Sequence, residues 1–150
     1  MRETLFNWLG QDLTGRRCLD LFAGSGALGF EAASRGADEV VMVENNRVAF
    51  RALQENCRKL ACSNIMLECG DGLEFALRQE NGRYDVIFLD PPFRSGYLPR
   101  ALPLLADKLA GEGLVYVETG AAFEPEATWE VVKRARAGNV YYQLLQRAQV

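Results

Sequence analysis

The fold is decided by the stretch Asp20-Leu21-Phe22-Ala23-Gly24-Ser25-Gly26-Ala27-Leu28-Gly29, which continues a short apolar run over residues 17–21. The run is typical of a buried strand, and residues 28–34 carry a helical pattern. The glycines between them have the G-x-G-x-x-G spacing that allows a tight turn from strand to helix. We therefore expect an α/β fold that contains this βα unit.

The same alternation of strand and helix continues along the chain. Apolar runs rich in Val, Ile and Leu predict further strands at residues 39–44, 65–68, 84–89 and 114–118. Helices are predicted at residues 2–9, 47–60, 72–79 and 98–109. This order predicts a mainly parallel sheet with helices on both faces.

The pattern changes after the fifth strand. Residues 129–135 and 140–146 flank the turn signal Ala137-Gly138-Asn139. Two apolar runs joined by such a turn predict an antiparallel hairpin that closes the C-terminal side of the sheet. No internal repeat interrupts the pattern, so we expect a single domain over residues 1–150.

Composition narrows the class of protein. The chain has 150 residues, of which 49% are hydrophobic and 25% charged, as in a soluble domain with a sizeable core. Its first residues show neither a signal peptide nor a membrane span, so we expect a cytoplasmic protein. The net charge of −3 argues against nucleic-acid binding over the whole surface, although a local basic face stays open.

The absence of certain residue types and spacings limits the catalytic mechanisms that are possible. The chain has no histidine, which excludes Ser-His and Cys-His nucleophile systems. Its four cysteines lack the paired spacing of a zinc site, so we expect reduced thiols and no metal. Any catalysis is left to carboxylates, the backbone and a cofactor.

Acidic residues at the ends of the first three predicted strands indicate a cofactor crevice. Glu44 stands where an acid receives the ribose hydroxyls of an adenosine-containing cofactor, either NAD or S-adenosylmethionine. Asp20 favours S-adenosylmethionine, because a carboxylate there suits a cationic amino-acid end and would repel a pyrophosphate. A turn or helix cap is the alternative role for Asp20. Asp71 could bind the adenine amino group or cap the helix that starts at Gly72.

The residues predicted to bind the cofactor include the three acids and residues of the G-x-G-x-x-G stretch. They are Asp20, Phe22, Ala23, Gly24, Ser25, Gly26, Glu44, Asn45, Asp71, Gly72 and Asp90.

The fourth predicted strand ends in Asp90-Pro91-Pro92-Phe93, the candidate catalytic segment. The Asp90 carboxylate and the Pro91 carbonyl would each accept an N–H from an exocyclic amine, which turns the nitrogen lone pair toward a methyl donor. Pro92 helps to fix the backbone, and Phe93 would stack on an extruded base. The alternatives are an extended turn for the segment and a core position for Phe93.

Three segments resemble the RsmD-type 16S rRNA guanine-N2 methyltransferases. They are Arg2-Glu3-Thr4-Leu5-Phe6-Asn7-Trp8-Leu9, residues 20–29 and Asp90-Pro91-Pro92-Phe93. The first segment is the one most particular to this family. The resemblance implies a Rossmann-like class I methyltransferase with a seven-stranded sheet and S-adenosylmethionine as cofactor. It also implies that residues 90–93 face a guanine. The cofactor contacts that it implies come from Asp20, Ala23, Gly24, Glu44 and Asp71.

The resemblance extends to the partner. It implies 16S rRNA or the assembled small ribosomal subunit as substrate, and nothing in the sequence requires a protein partner, so we expect a monomer. Family members begin with a basic, glycine-containing segment before the Arg-Glu-Thr run, whereas this chain starts at that run. The sequence is then either truncated or a shortened member, and RNA binding is the property affected.

Other functions remain open at this stage. Related motifs also serve enzymes that methylate adenine N6 or a glutamine side chain. An NAD-linked oxidoreductase would use the glycine loop, residues 24–29, and Glu44 but would leave Asp20 and residues 90–93 without a role. A cofactor-binding module without catalysis is the third alternative.

Overall fold

The computed structural model describes residues 1–90 and 97–148, and these form a single seven-stranded sheet with helices packed on it. The strands are β1 Arg17–Asp20, β2 Glu39–Glu44, β3 Ile65–Cys69, β4 Tyr84–Leu89, β5 Leu109–Thr119, β6 Trp129–Ala137 and β7 Val140–Arg147. The helices are α1 Arg2–Trp8, α2 Ala27–Ser34, α3 Arg47–Leu60, α4 Gly72–Leu77 and α5 Tyr97–Leu105.

The strand order is β3-β2-β1-β4-β5-β7-β6. The first five strands are parallel to one another, and β7 runs antiparallel to both β5 and β6. The order reverses between β1 and β4, the kind of switch point at which open α/β sheets bind their ligands. The predicted mainly parallel sheet and its C-terminal hairpin are confirmed.

The two faces of the sheet bury separate clusters of apolar side chains. One cluster includes Leu5 of α1, Ala32 of α2 and Leu53 of α3. The other includes Ala76 of α4 and Leu102 of α5. Because successive strand residues point to opposite faces, apolar runs such as β2 and β4 feed both clusters. Helices therefore cover both faces, as predicted.

The boundary between α5 and β5 corrects the sequence prediction. A helix was expected over residues 98–109, but α5 ends at Leu105, a 3₁₀ turn covers Ala106–Lys108, and β5 begins at Leu109. Leu109 pairs with Tyr84, and the Lys108 ammonium donates to the Gln79 carbonyl at 2.7 Å. These partners lie far away in sequence, so tertiary contacts override the local helical pattern.

No helix in the described part of the chain is long and apolar enough to cross a membrane.

Gly72 is required by packing at the start of α4. A Cβ at this position would lie 2.4 Å from the carbonyl oxygen of Leu21, a backbone atom that cannot move aside cheaply. We predict that Gly72→Ala lowers the free energy of unfolding by about 1–3 kcal/mol, the usual cost of overpacking. Urea denaturation measures the change. Gly111→Ala is the matched control, because its Cβ would meet no atom within 4 Å, and equal midpoints for both variants would contradict the prediction.

Candidate active site

Three acidic side chains lie at the carboxyl ends of neighbouring parallel strands. Asp20 ends β1 and is in register with Phe88 of β4. Asp90 follows β4, and because Leu89 is in register with Val117, the next residue on each strand brings Asp90 beside Glu118 of β5. The residue before each acid is buried on the opposite face of the sheet. Because successive strand residues alternate between faces, all three acidic side chains point to the face covered by α1, α2 and α3. We call this group the acidic edge.

The glycine loop and Glu44 form a clamp next to the acidic edge. Glu44 is half-buried, and its Oε1 accepts the Gly24 N–H at 2.8 Å while its Oε2 accepts the Asn46 N–H at 2.8 Å. Gly24 has a φ of +55°, and a Cβ there would meet nothing within 4 Å. The loop therefore leaves open space above Gly24, beside a carboxylate fixed by two backbone donors.

Gly26 has a different role in the same loop. It is the N-cap of α2 with a φ of +85°, and a Cβ there would fall 2.5 Å from the Phe30 ring. Positive φ and close packing both require glycine at this position. The tight turn predicted from the G-x-G-x-x-G spacing is confirmed.

Asp20 lies beneath the glycine loop and is only 2% exposed. Burial, with a contribution from Glu44, raises the pKa of Asp20 to about 7, while hydrogen bonds from the backbone N–H groups of Gly29 and Phe22 act in the opposite direction. These hydrogen bonds mean that the turn-capping role of Asp20 is present in the structure. When it is ionised, the Asp20 carboxylate adds negative charge beneath the loop.

Asp90 and Glu118 form a hydrogen-bonded pair of carboxyl groups. Burial and the neighbouring Glu118 raise the pKa of Asp90 to about 8, and Asp20 adds to the rise. The hydroxyl of Tyr116 donates to Glu118 Oε1 at 2.6 Å. Glu118 and Tyr116 are not predicted from the sequence, although Glu118 is an acid that ends an apolar strand, the same signal that indicates Asp20, Glu44 and Asp90.

The remaining predicted residues lie around the clamp with different exposure. Phe22 is half-buried and meets Tyr97 edge to face with 5.3 Å between ring centroids, and Ala23 is buried. Asp71 is exposed and caps α4 by accepting the Glu74 N–H at 2.9 Å. Ser25 and Asn45 are exposed. Pro91, Pro92 and Phe93 lie outside the described residues.

Positive charge is scarce at the acidic edge. Within residues 1–90 and 97–148, no Lys or Arg forms an ion pair with Asp20, Asp90 or Glu118. The same residues contain no group of three or more side chains arranged to hold a metal ion. The edge is therefore suited to a cationic ligand and to groups that donate hydrogen bonds.

Comparison with known proteins agrees with the fold. Residues 1–146 match the family described as conserved hypothetical protein 95. The chain is 40% identical over 153 aligned positions to ribosomal RNA small subunit methyltransferase D of Escherichia coli, an alignment that covers 98% of this chain and 76% of that protein. The chain belongs to the RsmD family. Its sheet is that of a Rossmann-like class I methyltransferase.

Two further relatives extend the comparison. The protein of the same name from Haemophilus influenzae is 39% identical, with coverage of 97% of this chain and 79% of that protein. A solved structure from Escherichia coli superposes with a TM-score of 0.88 at 40% identity, and covers 97% of this chain and 83% of that chain. The resemblance inferred from the three sequence segments is confirmed at the level of the RsmD family.

The raised pKa of Asp20 predicts a pH-dependent gain in stability when its charge is removed. The folded chain holds the Asp20 proton more tightly than the unfolded chain, so this contribution to stability is full below the ordinary pKa and is lost as pH rises toward about 7. We expect Asp20→Asn to melt above the wild type at pH about 8, with a gap that shrinks toward pH about 4.

Thermal unfolding at several pH values measures this gap. About 1 kcal/mol changes Tm by roughly 2–4 °C in a chain of this size, so the difference is measurable. Asp107→Asn is the control, because Asp107 is exposed. A constant gap between Asp20→Asn and the wild type across the pH range would show that the Asp20 carboxyl is not destabilised by its surroundings.

Proposed function

We propose that this chain transfers a methyl group from S-adenosylmethionine to the exocyclic N2 amine of a guanine in small-subunit rRNA. The single observation that carries the proposal is the position of Asp90. It lies at the switch point of the sheet, on the same edge as the Glu44 clamp, with its carboxyl group held beside a second acid. The name of the Escherichia coli relative supports the class of substrate.

The residues present fit S-adenosylmethionine. Glu44 is held by two backbone N–H groups and keeps lone pairs that can accept the ribose hydroxyls. The open space above Gly24 allows close approach of a ligand to the backbone. The Asp20 charge beneath the loop favours a cofactor that carries positive charge. When bound, S-adenosylmethionine supplies an electrophilic methyl group on a sulfonium centre.

The other predicted contacts complete this proposal. Asp71, at the carboxyl end of β3, would accept from the adenine amino group in addition to its role as the cap of α4. Phe22, Ala23, Ser25, Gly26, Asn45 and Gly72 would line the loop and the adenosine side of the crevice. The whole site belongs to one domain over residues 1–150, and we propose that the chain acts as a monomer.

Asp90 would act on the substrate amine by orienting it. The lone pair of an exocyclic amine is delocalised into the base, so the nitrogen is a poor nucleophile until its hydrogens are held. Asp90 would accept one N–H in its ionised form, which becomes more abundant as pH rises through its raised pKa of about 8, and the Pro91 carbonyl would accept the other. This is catalysis by positioning and electrostatics, without a covalent enzyme intermediate.

The substrate class is tested by labelled methyl transfer. We expect transfer of the methyl label from S-adenosylmethionine to small ribosomal subunits or naked small-subunit rRNA, with the label at guanine N2 after digestion to nucleosides. Duplex DNA and a protein mixture are the parallel acceptors. Label found only in DNA, at adenine N6 or on protein would overturn the substrate assignment.

The division of roles between Asp90 and Glu44 gives a second test. We predict that Asp90→Ala lowers kcat by about 10²–10⁴-fold with little change in the Kd of S-adenosylmethionine, since Asp90 serves the amine. Glu44→Ala removes the acceptor of the ribose hydroxyls and the anchor of Gly24, so it chiefly weakens cofactor binding. Calorimetry gives Kd and single-turnover transfer gives the rate.

Glu68→Ala is the matched control for this pair. Glu68 is an exposed acid on β3 with no part in the proposed site, so its rate and Kd should equal those of the wild type. Equal loss of cofactor affinity in Asp90→Ala and Glu44→Ala would contradict the assignment of the substrate amine to Asp90 and of the cofactor to Glu44.

A further inference from the structure

The pairing of Asp90 with Glu118 places two hydrogen-bond acceptors side by side. The register of Leu89 with Val117 makes Asp90 and Glu118 neighbours across β4 and β5, where strands lie about 4.8 Å apart. The Asp90 and Glu118 carboxyl groups lie near enough that Glu118 raises the pKa of Asp90 through a side-chain hydrogen bond and its charge. They are therefore close enough to contact adjacent atoms of one planar group.

Tyr116 fixes the orientation of Glu118. Its hydroxyl donates to Glu118 Oε1 at 2.6 Å, and its ring is fully buried against Phe88 and Tyr142. Burial and the bond to Glu118 raise the pKa of Tyr116, so the hydroxyl keeps its proton and stays a donor. With Oε1 occupied, the second oxygen of Glu118 is the one left for Asp90 or for a ligand.

The opposite side of Glu118 is closed by aromatic packing. Its cross-strand partner on β7 is Tyr142, which stacks on Trp8 of α1 with 5.4 Å between ring centroids. Glu118 itself remains half-buried, so part of it is open to the crevice. The side of Glu118 that faces Asp90 is the one where the proposed substrate amine would be held.

Guanine and adenine differ in the hydrogen-bonding groups that their exocyclic amine and N1 present. Guanine presents two adjacent donors, the N1–H and the N2 amine, whereas adenine presents its N6 amine beside the N1 lone pair. Once the proton that the pair shares has been released to solvent, the two neighbouring carboxylates can accept from both guanine donors, but with adenine the second carboxylate would face a lone pair. An acceptor placed against a lone pair loses its hydrogen bond and is repelled.

We infer that Glu118 is a specificity-determining residue that accepts the N1–H of the target guanine while Asp90 accepts from its N2 amine. The inference rests on the proposed function, because it requires a guanine as the methyl acceptor. Glu118 then excludes purines that have an amine but no N1–H. The hydroxyl of Tyr116 holds Glu118 in the orientation that makes this distinction.

The test uses 2-aminopurine, which keeps the N2 amine of guanine but carries a lone pair at N1. An rRNA fragment is prepared with guanine or 2-aminopurine at the methylated position mapped in the labelling assay, and the ratio of kcat/KM for the two RNAs is measured. We expect the wild type to favour guanine by about a hundredfold. In Glu118→Gln, Tyr116 holds the amide oxygen and the NH₂ donates to N1 of 2-aminopurine, so the ratio should fall at least tenfold or invert.

Glu112→Gln is the matched control, because Glu112 is an exposed acid on the same strand, and its ratio should equal that of the wild type. An unchanged ratio in folded Glu118→Gln overturns the inference. If circular dichroism shows that Glu118→Gln does not fold, Tyr116→Phe decides the question. This variant loses only the hydroxyl that orients Glu118, so a severalfold lower ratio supports the inference and an unchanged ratio overturns it.

Failure of the inference can be separated from failure of the proposed function. A wild type that methylates the guanine and 2-aminopurine RNAs equally overturns the role of Glu118 and leaves the proposed function standing. A wild type that methylates no guanine in rRNA overturns both.

Discussion

The hydrogen bonds of Glu44 to the backbone are the interactions on which the arrangement of the site depends. One side chain at the end of β2 accepts from the loop that follows β1 and from the turn that begins α3. It therefore fixes two connections that would otherwise be free to move relative to each other. The open space above Gly24 and the buried position of Asp20 both follow from the loop being held in this conformation.

The acidic edge shows how a sheet can concentrate charge that local structure alone would not tolerate. Asp20, Asp90 and Glu118 are brought together by the register of β1, β4 and β5. Burial then raises the pKa of Asp20 and of Asp90. Stability and function are opposed at this edge, because the charges that cost folding energy are those that would bind a cation and an amine.

Much of the fold and several positions of the candidate site could be predicted from the sequence, because the patterns that indicate them are local. A glycine loop after an apolar strand and an acid at a strand end each occupy a few consecutive residues, which is why β1, the hairpin and the position of Glu44 at the end of β2 could be predicted. The end of α5 and the role of Glu118 were not, because both depend on strand pairing. Leu109 pairs with Tyr84, and Glu118 lies beside Asp90 because β5 pairs with β4.

If the proposed RNA substrate binds at the switch point, the acidic edge would also act as an electrostatic filter for it. Phosphodiesters of an RNA strand are repelled from a crevice rich in carboxylates, and counterions can only partly screen this repulsion at such short range. A base carries no charge and projects donors from its edge, so it can enter where its own backbone cannot. Under the proposed function, the charge of the crevice would therefore favour nucleotides that are already turned out of their helix over regular duplex RNA.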